Sequence, residues 1–570
     1  MMMPPAHGHI ILTPQLLVSQ TILTICFMNR LSPELRAAEQ EIDEEYRSNP
    51  LVKRKLTESL WYLLAAFDHE LFQTVNSYGQ HGRYRVEPNI DHHLFMIRWP
   101  VRWLRTSCPP GGEIPSQFSP SLLRTATELL DLASNYMSFY KAYTRASENL
   151  LDLRIDGDKL IASGFNYSDS QYEAYNRLVK PIDFTVDTGP LKGLRKIDEM
   201  LFETLEIRDD RFFYKPHPDT VALAIDALAP TVTPRFTLPD SWRFVKYSMA
   251  DFRKVFSAIY ALAYLHYVAR DLAVKAGCVN QGILDSLLIT TLQGLAIRVA
   301  RYTQVKKDLV REVINDLVLG ANNISIEQAD PTLQPLVPIS PGQFAIAPQL
   351  WIHNAAERNF VVLMNRLPAE KAIYLSLVTQ KEKIMRERIV ESIKSRGWRS
   401  WHGPAKGKLP DVDLAVIDSR NLACLLIELK WFIDPAEPRE LMEKTKEINK
   451  GISQVLALKQ ALNQRDVALF DSLGITPAYS IGVAVVSANW IGYSDAQHGD
   501  VPVIREHHLV NKLTTTSNLA EVLDWLSQRK YLPQEGLHYE LVKSDSRVGA
   551  WTLEWYSLRA LIDEDKFLPL

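Results

Sequence analysis

Residues 410–433 read PDVDLAVIDSRNLACLLIELKWFI and contain two short apolar runs separated by a polar turn. The second run is apolar without alternation, which is typical of a central strand covered on both faces. Asp413, Glu428 and Lys430 are charged residues that lie where this pattern predicts strand interior. Because side chains alternate along a strand, Glu428 and Lys430 are expected to project from the same face, while Leu429 points away. A carboxylate and an ammonium group would therefore share one face of a buried strand.

The segments around these runs indicate a layered α/β arrangement. A predicted helix over 381–397 precedes them, an amphipathic helix over 439–462 follows, and another apolar run over 479–488 comes next. This α-β-β-α-β order is typical of a sheet with helices packed on its faces. A last pair of apolar runs around Gly549 predicts a peripheral hairpin.

The N-terminal half has a different periodicity. From about Ser32 to Leu319, apolar residues recur at spacings of three and four, which predicts a mainly α-helical region. The clearest helical segments are 33–47, 58–75, 121–153 and 252–277. Prolines then cluster between Pro331 and Pro348, where helix propagation would fail. We therefore predict a multidomain chain with a mainly helical recognition or regulatory region at 1–330, a proline-rich connecting segment at 331–374, an α/β domain at 375–530 and a hairpin with a tail at 531–570.

Length and composition exclude several classes of protein. With 570 residues, 46% of them hydrophobic, the chain is neither a single small binding module nor a disordered or fibrous protein. Its net charge of −3 means that any site for a polyanion must be local. Four widely separated cysteines form no CxxC pair for zinc, so a reducing, cytoplasmic location is expected. Polar residues interrupt the apolar stretch at 10–28, which favours a helix or an over-extended start over a membrane span.

A local excess of positive charge surrounds the strand with the charged pair. Between Lys381 and Lys408, nine Lys or Arg face three Glu, a local charge of +6. Tryptophans alternate with arginines there, so the loop is expected to combine phosphate contacts with base or sugar stacking. The alternative interpretation is a solvated helix followed by a turn that tryptophan anchors. The candidate nucleic-acid-binding residues are Arg396, Trp398, Arg399, Trp401, Lys406 and Lys408.

Other suggestive motifs have structural interpretations. The basic and aromatic stretch 98–105 is interpreted as an amphipathic segment. The histidine groups at 68–70 and 91–93 lack the spacing of known metal motifs and are interpreted as core or surface residues. Nucleotide phosphate loops, hydrolase elbows and dinucleotide fingerprints have no matching motif in the sequence.

The charged strand pair resembles the PD-(D/E)XK nuclease superfamily, which has the restriction-endonuclease-like fold. The matching residues are Pro410-Asp411-Val412-Asp413, a hairpin of about fifteen residues, and Glu428-Leu429-Lys430. Gln454 in the following helix matches a glutamine that many members carry, and the segment 500–513 is similar to the family's closing strand and helix. The resemblance covers about residues 375–515 and implies an αβββαβ core.

The resemblance also implies a reaction and a set of roles. The reaction is metal-dependent hydrolysis of phosphodiester bonds, in DNA more often than in RNA. Asp413 and Glu428, with the backbone carbonyl of Leu429, would hold Mg²⁺, which Mn²⁺ can replace. Lys430 would orient the water or stabilise the transition state.

Further residues complete this assignment. Asp411 is the alternative to Asp413, which is preferred because it opens the apolar run. Glu387 in the preceding helix, with Glu391 as the second choice, would support a second metal ion, and Gln454 would shape the site.

The resemblance predicts a magnesium-dependent endonuclease, and analogy favours a role in bacterial defence against foreign DNA. A cut through both strands usually needs two active sites, which is compatible with a homodimer or higher oligomer. The alternative is a catalytically inactive nuclease-like protein that binds nucleic acid or acts as a scaffold, with the helical region mediating partner interactions.

Overall fold

The computed structural model describes most of the 570-residue chain. The described ranges are 31–76, 83–148, 150–163, 167–179, 194–233, 238–405, 409–433, 438–492 and 501–562. The apolar stretch at 10–28 lies outside them. The chain divides into two compact units. The smaller unit comprises Met1–Glu45, Asn135–Phe165 and Lys543–Tyr556, and the larger unit comprises Tyr46–Ser134, Asn166–Val542 and Ser557–Leu570.

Helices dominate the described chain before residue 337. They are α1 (Pro33–Glu44), α2 (Leu56–Asn76), α3 (Arg83–Met96), α4 (Arg98–Ser107), α5 (Pro120–Ser147), α6 (Tyr167–Leu178), α7 (Leu194–Phe202), α8 (Pro218–Val232), α9 (Met249–Lys275), α10 (Leu292–Thr303) and α11 (Lys307–Asp316). Short strands interrupt them at β1 (Asp152–Asp156), β2 (Lys159–Ser163), β3 (Glu206–Arg208), β4 (Arg211–Phe213) and β5 (Leu288–Thr290).

The predicted helices of this half are present, with one wrong boundary. The helix predicted over 121–153 ends at Ser147, because residues 152–156 form β1, which pairs antiparallel with β2. Gly157 adopts the left-handed φ of 63° in the turn between these strands, a conformation that glycine tolerates without strain. At the start of α9, Ser248 and Asp251 form a reciprocal capping box.

Strands and helices alternate after residue 337. The elements are β6 (Val337–Ser340), β7 (Gln343–Ile346), α12 (Pro348–Ile352), α13 (Ala356–Arg366), α14 (Pro368–Ile393), β8 (Arg399–Gly403), β9 (Val412–Asp418), β10 (Ala423–Lys430), α15 (Pro438–Asn463), α16 (Val467–Leu473), β11 (Ser480–Ser487), β12 (Val503–Arg505), α17 (Glu506–Thr515), α18 (Leu519–Ser527), β13 (Tyr539–Val548) and β14 (Trp551–Ala560). The chain is thus mixed, mainly helical at first and α/β afterwards. The predicted hairpin around Gly549 is confirmed as β13 and β14, which are neighbours in one sheet with β1 and β2.

A mixed sheet of five strands, in the order β12-β11-β10-β9-β8, forms the centre of the α/β region. Strands β8, β9 and β10 pair antiparallel, whereas β10, β11 and β12 run parallel. The parallel step from β10 to β11 requires a crossover, which α15 supplies. Strand β10 is buried from Ala423 to Leu429, as its apolar run predicts.

Two segments of the chain belong to hydrophobic cores that cross the predicted domain boundaries. The proline-rich segment contributes Trp351 and Phe360 to the same core as α8–α11, so it is folded and packed. Helix α6, which precedes residue 330, contributes Tyr172 and Tyr175 to the core around the five-stranded sheet. Within the described residues, no helix is long and apolar enough to cross a membrane.

Candidate active site

Two antiparallel strands bring the predicted carboxylates together. The register pairs Ile427 of β10 with Leu414 of β9. One step further along both strands, Glu428 lies opposite Asp413, and residues directly opposed in an antiparallel pair project from the same face. The backbone N–H of Leu429 donates to Asp413 Oδ2 at 2.8 Å, which holds this side chain against β10. The alternative aspartate, Asp411, is exposed before the strand begins.

The predicted lysine and glutamine complete this group. Lys430 Nζ donates to Glu428 Oε1 at 2.6 Å and to Gln454 Oε1 of α15 at 3.3 Å. The Lys430 side chain is 14% exposed, whereas that of Glu428 is 3% exposed. Lys430 is therefore the member of the buried ion pair that solvent and ligands can reach. Four of the sequence-predicted site residues, Asp413, Glu428, Lys430 and Gln454, meet at one place.

The electrostatics of Glu428 are unusual for a carboxylate. Burial, followed by repulsion from Asp413, raises the pKa of Glu428 to about 7, although Lys430 acts in the opposite direction. The negative charge of the cluster is thus only partly neutralised by protein groups. A pKa perturbed in this way by burial and a like charge is characteristic of functional sites.

Glu382 is the glutamate of the preceding helix that reaches this cluster. Burial raises the pKa of Glu382, Lys430 lowers it, and Asp413 raises it, so these three groups lie within electrostatic range of one another. A hydrogen bond from the Trp431 backbone N–H also stabilises the Glu382 carboxylate. The N–H groups of Leu429 and Trp431, two residues apart, point to the same edge of the strand, where Asp413 and Glu382 accept them.

The two glutamates predicted for this role lie elsewhere. Glu387 is 63% exposed, and its Oε1 lies 3.8 Å from Lys383 Nζ one turn earlier. Glu391 is exposed and pairs with Lys394. The five residues from Glu382 to Glu387 correspond to a rotation of about 140° around a helix. Glu387 therefore faces away from the sheet, and the structure does not bring it to the cluster.

Gly451 is a second site residue that the sequence prediction missed. A Cβ atom at this position would lie 3.0 Å from Lys430 Cε and 3.2 Å from Glu428 Cγ. Only glycine allows α15 to approach β10 so closely without displacing the ion pair. The available signal was an isolated glycine inside a long amphipathic helix, which often has a packing or functional reason.

The residues of the loop predicted to bind nucleic acid differ in their exposure and contacts. Trp398 is 9% exposed and packs in the core of the sheet region, so its ring is not placed to stack on a base. Trp401 is half-buried against the same core. Arg399 donates to the Gly474 carbonyl at 3.0 Å. Arg396 is half-buried, whereas Lys406 and Lys408 lie outside the described residues. The alternative interpretation, a turn that tryptophan anchors, therefore fits the position of Trp398.

The second basic and aromatic stretch forms α4 and points its arginines inward. Arg102 Nε donates to the Ala329 carbonyl at 2.8 Å, and Arg105 Nη1 donates to the Leu319 carbonyl at 3.4 Å. These contacts hold the loop around residues 319–329 against α4. The stretch is therefore structural, as its amphipathic pattern predicts.

The side chains of the cluster are of the chemical type that binds a hard divalent cation, but they are not arranged as a ligand set. Asp413, Glu428 and Glu382 offer carboxylate oxygens, which are the ligands that Mg²⁺ prefers. Lys430 Nζ lies against one of these oxygens, and the described part of the chain holds no group of three His, Cys, Asp or Glu arranged to hold a metal ion. Comparisons with family models, curated proteins and solved structures found no match to this chain.

Proposed function

We propose that this chain is a magnesium-dependent nuclease that hydrolyses phosphodiester bonds, with DNA rather than RNA as its substrate. We further propose that the α14-β8-β9-β10-α15-β11 segment is a restriction-endonuclease-like core. Its element order supports this proposal, since, apart from the short helix α16 before β11, it follows the αβββαβ order that the resemblance implies. A helical region joined to such a domain is compatible, by analogy, with defence against foreign DNA.

The observation that supports this function most strongly is the hydrogen-bonded cluster at the ends of β9 and β10. Asp413 and Glu428 are opposed across the strand pair, and Lys430 contacts Glu428 from the solvent side. A structural ion pair needs one carboxylate for one cation, but Glu428 also lies within electrostatic range of the carboxylates of Asp413 and Glu382. The surplus of negative charge is suited to a divalent cation rather than to stability.

Each residue then has a defined task. Asp413 and Glu428, with the Leu429 carbonyl, would hold Mg²⁺, and Glu382 would take the supporting role expected of Glu387. The bound ion would supply a water of lowered pKa and charge for the phosphate oxygens. Lys430 would donate a hydrogen bond to the attacking water or to the phosphate, where negative charge develops.

Two residues keep this lysine in position. Gln454 accepts a hydrogen bond from Lys430 Nζ, which limits the rotamers of the lysine. Gly451 leaves room for the lysine chain between α15 and β10. Both are positioning residues, since neither has been placed against the reacting atoms.

A cleavage assay with matched variants tests the proposal. Purified protein is incubated with supercoiled plasmid, linear duplex and single-stranded DNA in Mg²⁺, Mn²⁺ or EDTA. We expect metal-dependent cutting that Asp413→Asn and Lys430→Ala abolish. Lys446→Ala serves as the control, because Lys446 is an exposed residue of α15 that pairs with Glu443. Cutting by both site variants at the wild-type rate would contradict the proposal.

An inactive nuclease-like binding protein is the second candidate. The contact between Lys430 Nζ and Glu428 Oε1 favours it, since this contact occupies an oxygen that a metal ion would use. In that case the wild type cuts no DNA in any metal but binds it in a salt-sensitive manner.

A further inference from the structure

Arg386 lies one turn after Glu382 on the face of α14 that packs against the sheet. Residues four apart on a helix are neighbours on one side, so Arg386 continues the row that begins with Glu382. Met385 and Ile389 on this side are buried in the sheet core. Arg386 itself is half-buried, whereas Lys383, which lies further round the helix from the core, is exposed.

The position of Arg386 relative to β8 supports this placement. His402 of β8 has its pKa lowered by burial and, secondly, by the positive charge of Arg386. The guanidinium therefore lies within electrostatic range of the edge strand next to β9. Glu382 on one turn and His402 on the edge strand place Arg386 at the rim of the candidate active site.

Neighbouring basic residues of α14 are neutralised, but Arg386 is not. Lys383 Nζ lies 3.8 Å from Glu387 Oε1, and Arg388 Nη1 lies 3.6 Å from Glu506 Oε2. Arg386 makes no hydrogen bond or ion pair with any residue that the structure describes. A half-buried guanidinium has fewer waters around it than an exposed one, so an anionic ligand gains more from binding it.

We infer that Arg386 binds a backbone phosphate of the DNA next to the phosphodiester that the site would cleave. This inference rests on the proposed nuclease function and deepens it. The planar guanidinium matches the geometry of a phosphate, with two parallel N–H donors. The step of four residues from Glu382 to Arg386 spans about 6 Å along the helix. That length is comparable to the distance between adjacent phosphates of one DNA strand.

The salt dependence of DNA binding tests this contact. Binding of a short fluorescent duplex is measured across a salt series, with Ca²⁺ in place of Mg²⁺ to prevent cleavage. Arg386→Gln is expected to raise the Kd about tenfold and to reduce the slope of log K against log[salt] by about 0.9, the loss of one phosphate contact. Lys383→Gln removes the same charge from an exposed position of the same helix and is the matched control. It is expected to change the slope by far less.

A charge-retaining variant guards against an effect on folding. Arg386→Lys keeps the charge but loses the fork, so we expect the wild-type slope with a Kd raised about threefold. In cleavage assays both variants should raise KM more than they lower kcat, because the contact lies beside the reacting bond. A general folding defect would lower the amount of active enzyme and leave KM unchanged.

The possible outcomes separate the inference from the proposed function. If the wild type cleaves DNA and both Arg386 variants keep the wild-type Kd, slope and KM, the inference is wrong and the nuclease proposal stands. If Arg386→Gln does not fold, an unchanged Kd and KM for Arg386→Lys contradict the inference in the same way. If the wild type neither cleaves nor binds DNA, both proposals fall.

Discussion

Arg270–Asp68 and Lys430–Glu428 are both buried ion pairs of the larger unit, but they use their hydrogen-bonding groups differently. Arg270 Nη1 lies 3.0 Å from Asp68 Oδ2, and the two side chains are 1% and 2% exposed. The other Asp68 oxygen accepts the Gln349 backbone N–H at 2.9 Å. Arg270 also donates to the Gln281 carbonyl at 3.0 Å and packs its charge 4.3 Å from the Phe72 ring centre. This pair is closed, with one cation for one carboxylate.

The Lys430–Glu428 pair is open: in the part of the chain that the structure describes, not all donors of its cation are used, and more than one carboxylate lies near that cation. An ammonium group has three donors, and Lys430 uses two of them on Glu428 and Gln454 within the described residues. Asp413 and Glu382 add negative charge beyond the one carboxylate that Lys430 contacts. Burial alone therefore does not distinguish the Arg270–Asp68 pair from the pair that is proposed to be functional. The distinction lies in unused donors, surplus charge and the one partner that remains reachable.

Replacing each cation by methionine should separate the two roles, and Lys430→Met should have the largest effect. We expect the cleavage rate to fall about 1000-fold or more, because a preorganised donor to the developing charge is lost. The free energy of unfolding should change little, since the pKa of Glu428 is already about 7 and the group can take up a proton. Single-turnover cleavage and urea denaturation measure the two quantities. Cleavage by Lys430→Met at the wild-type rate would contradict the proposed difference in role between the two ion pairs.

Arg270→Met should show the opposite behaviour. Removing one partner of a closed pair leaves Asp68 buried without its cation, at a cost of about 3 kcal/mol in the free energy of unfolding. Cleavage per folded molecule should stay at the wild-type level, because the pair does not contact the candidate site. A loss of cleavage larger than the loss of folded protein would contradict this assignment.

The Arg270→Met deficit should also depend on pH. Burial raises the pKa of Asp68 from 3.8 to about 6 in the wild type, with Arg270 acting against this rise. The folded wild type thus holds a proton that the unfolded chain has released between these values, so the contribution of Asp68 to stability falls until about pH 6 and is then constant. Without Arg270 the pKa of Asp68 is higher still. The stability of the variant should therefore keep falling above pH 6, by about 1.4 kcal/mol per unit. Urea titrations at several pH values measure this difference, and a constant deficit would contradict it.

Local pattern accounts for the part of the site that the sequence predicts. Asp413, Glu428 and Lys430 stand out because each is a charge in an apolar strand, and strand alternation fixes which of them share a face. Gln454, in the next helix, is predicted only by the resemblance to the nuclease superfamily. The other three positions depend on neighbours close in sequence or on one hairpin.

The remaining features depend on packing between distant segments. Helix α14 is charged all round, so its sequence alone does not show that Met385 and Ile389 face the core and bring Glu382 to the site. Tyr175 of α6 is hydrogen-bonded to His508, more than 300 residues away, and no local signal predicts that contact. Trp398 is flanked by arginines but is a core residue. Interleaved charges and aromatic rings therefore do not by themselves indicate an exposed surface.

Gly451→Ala should reduce both the free energy of unfolding and the cleavage rate, because it displaces the Lys430–Glu428 pair. The added Cβ would meet Lys430 Cε at 3.0 Å, which forces the helix or the lysine to move. We expect a loss of about 1–2 kcal/mol in the free energy of unfolding, together with slower cleavage. Lys450→Ala, at the exposed neighbouring position, is the control for a substitution in this turn of α15 that adds no contact with the ion pair. Equal behaviour of the two variants in both assays would show that the open pair tolerates displacement.

The smallest expected effect distinguishes the two glutamates of α14. Glu382→Gln should slow cleavage about tenfold, because the amide keeps the acceptor for the Trp431 N–H but removes one charge from the surplus. It should not lower stability, since Glu382 raises the pKa of Glu428 and its neutralisation relieves that repulsion. Glu387→Gln removes the same charge from the exposed side, where only an i,i+4 pair with Lys383 is lost, and should change cleavage less than twofold. Cleavage rates measured for both variants in Mg²⁺ show which of the two glutamates supports the site. A larger effect at Glu387 would mean that α14 presents its other side to the substrate. In that case, only Asp413 would supply the additional negative charge near the Lys430–Glu428 pair.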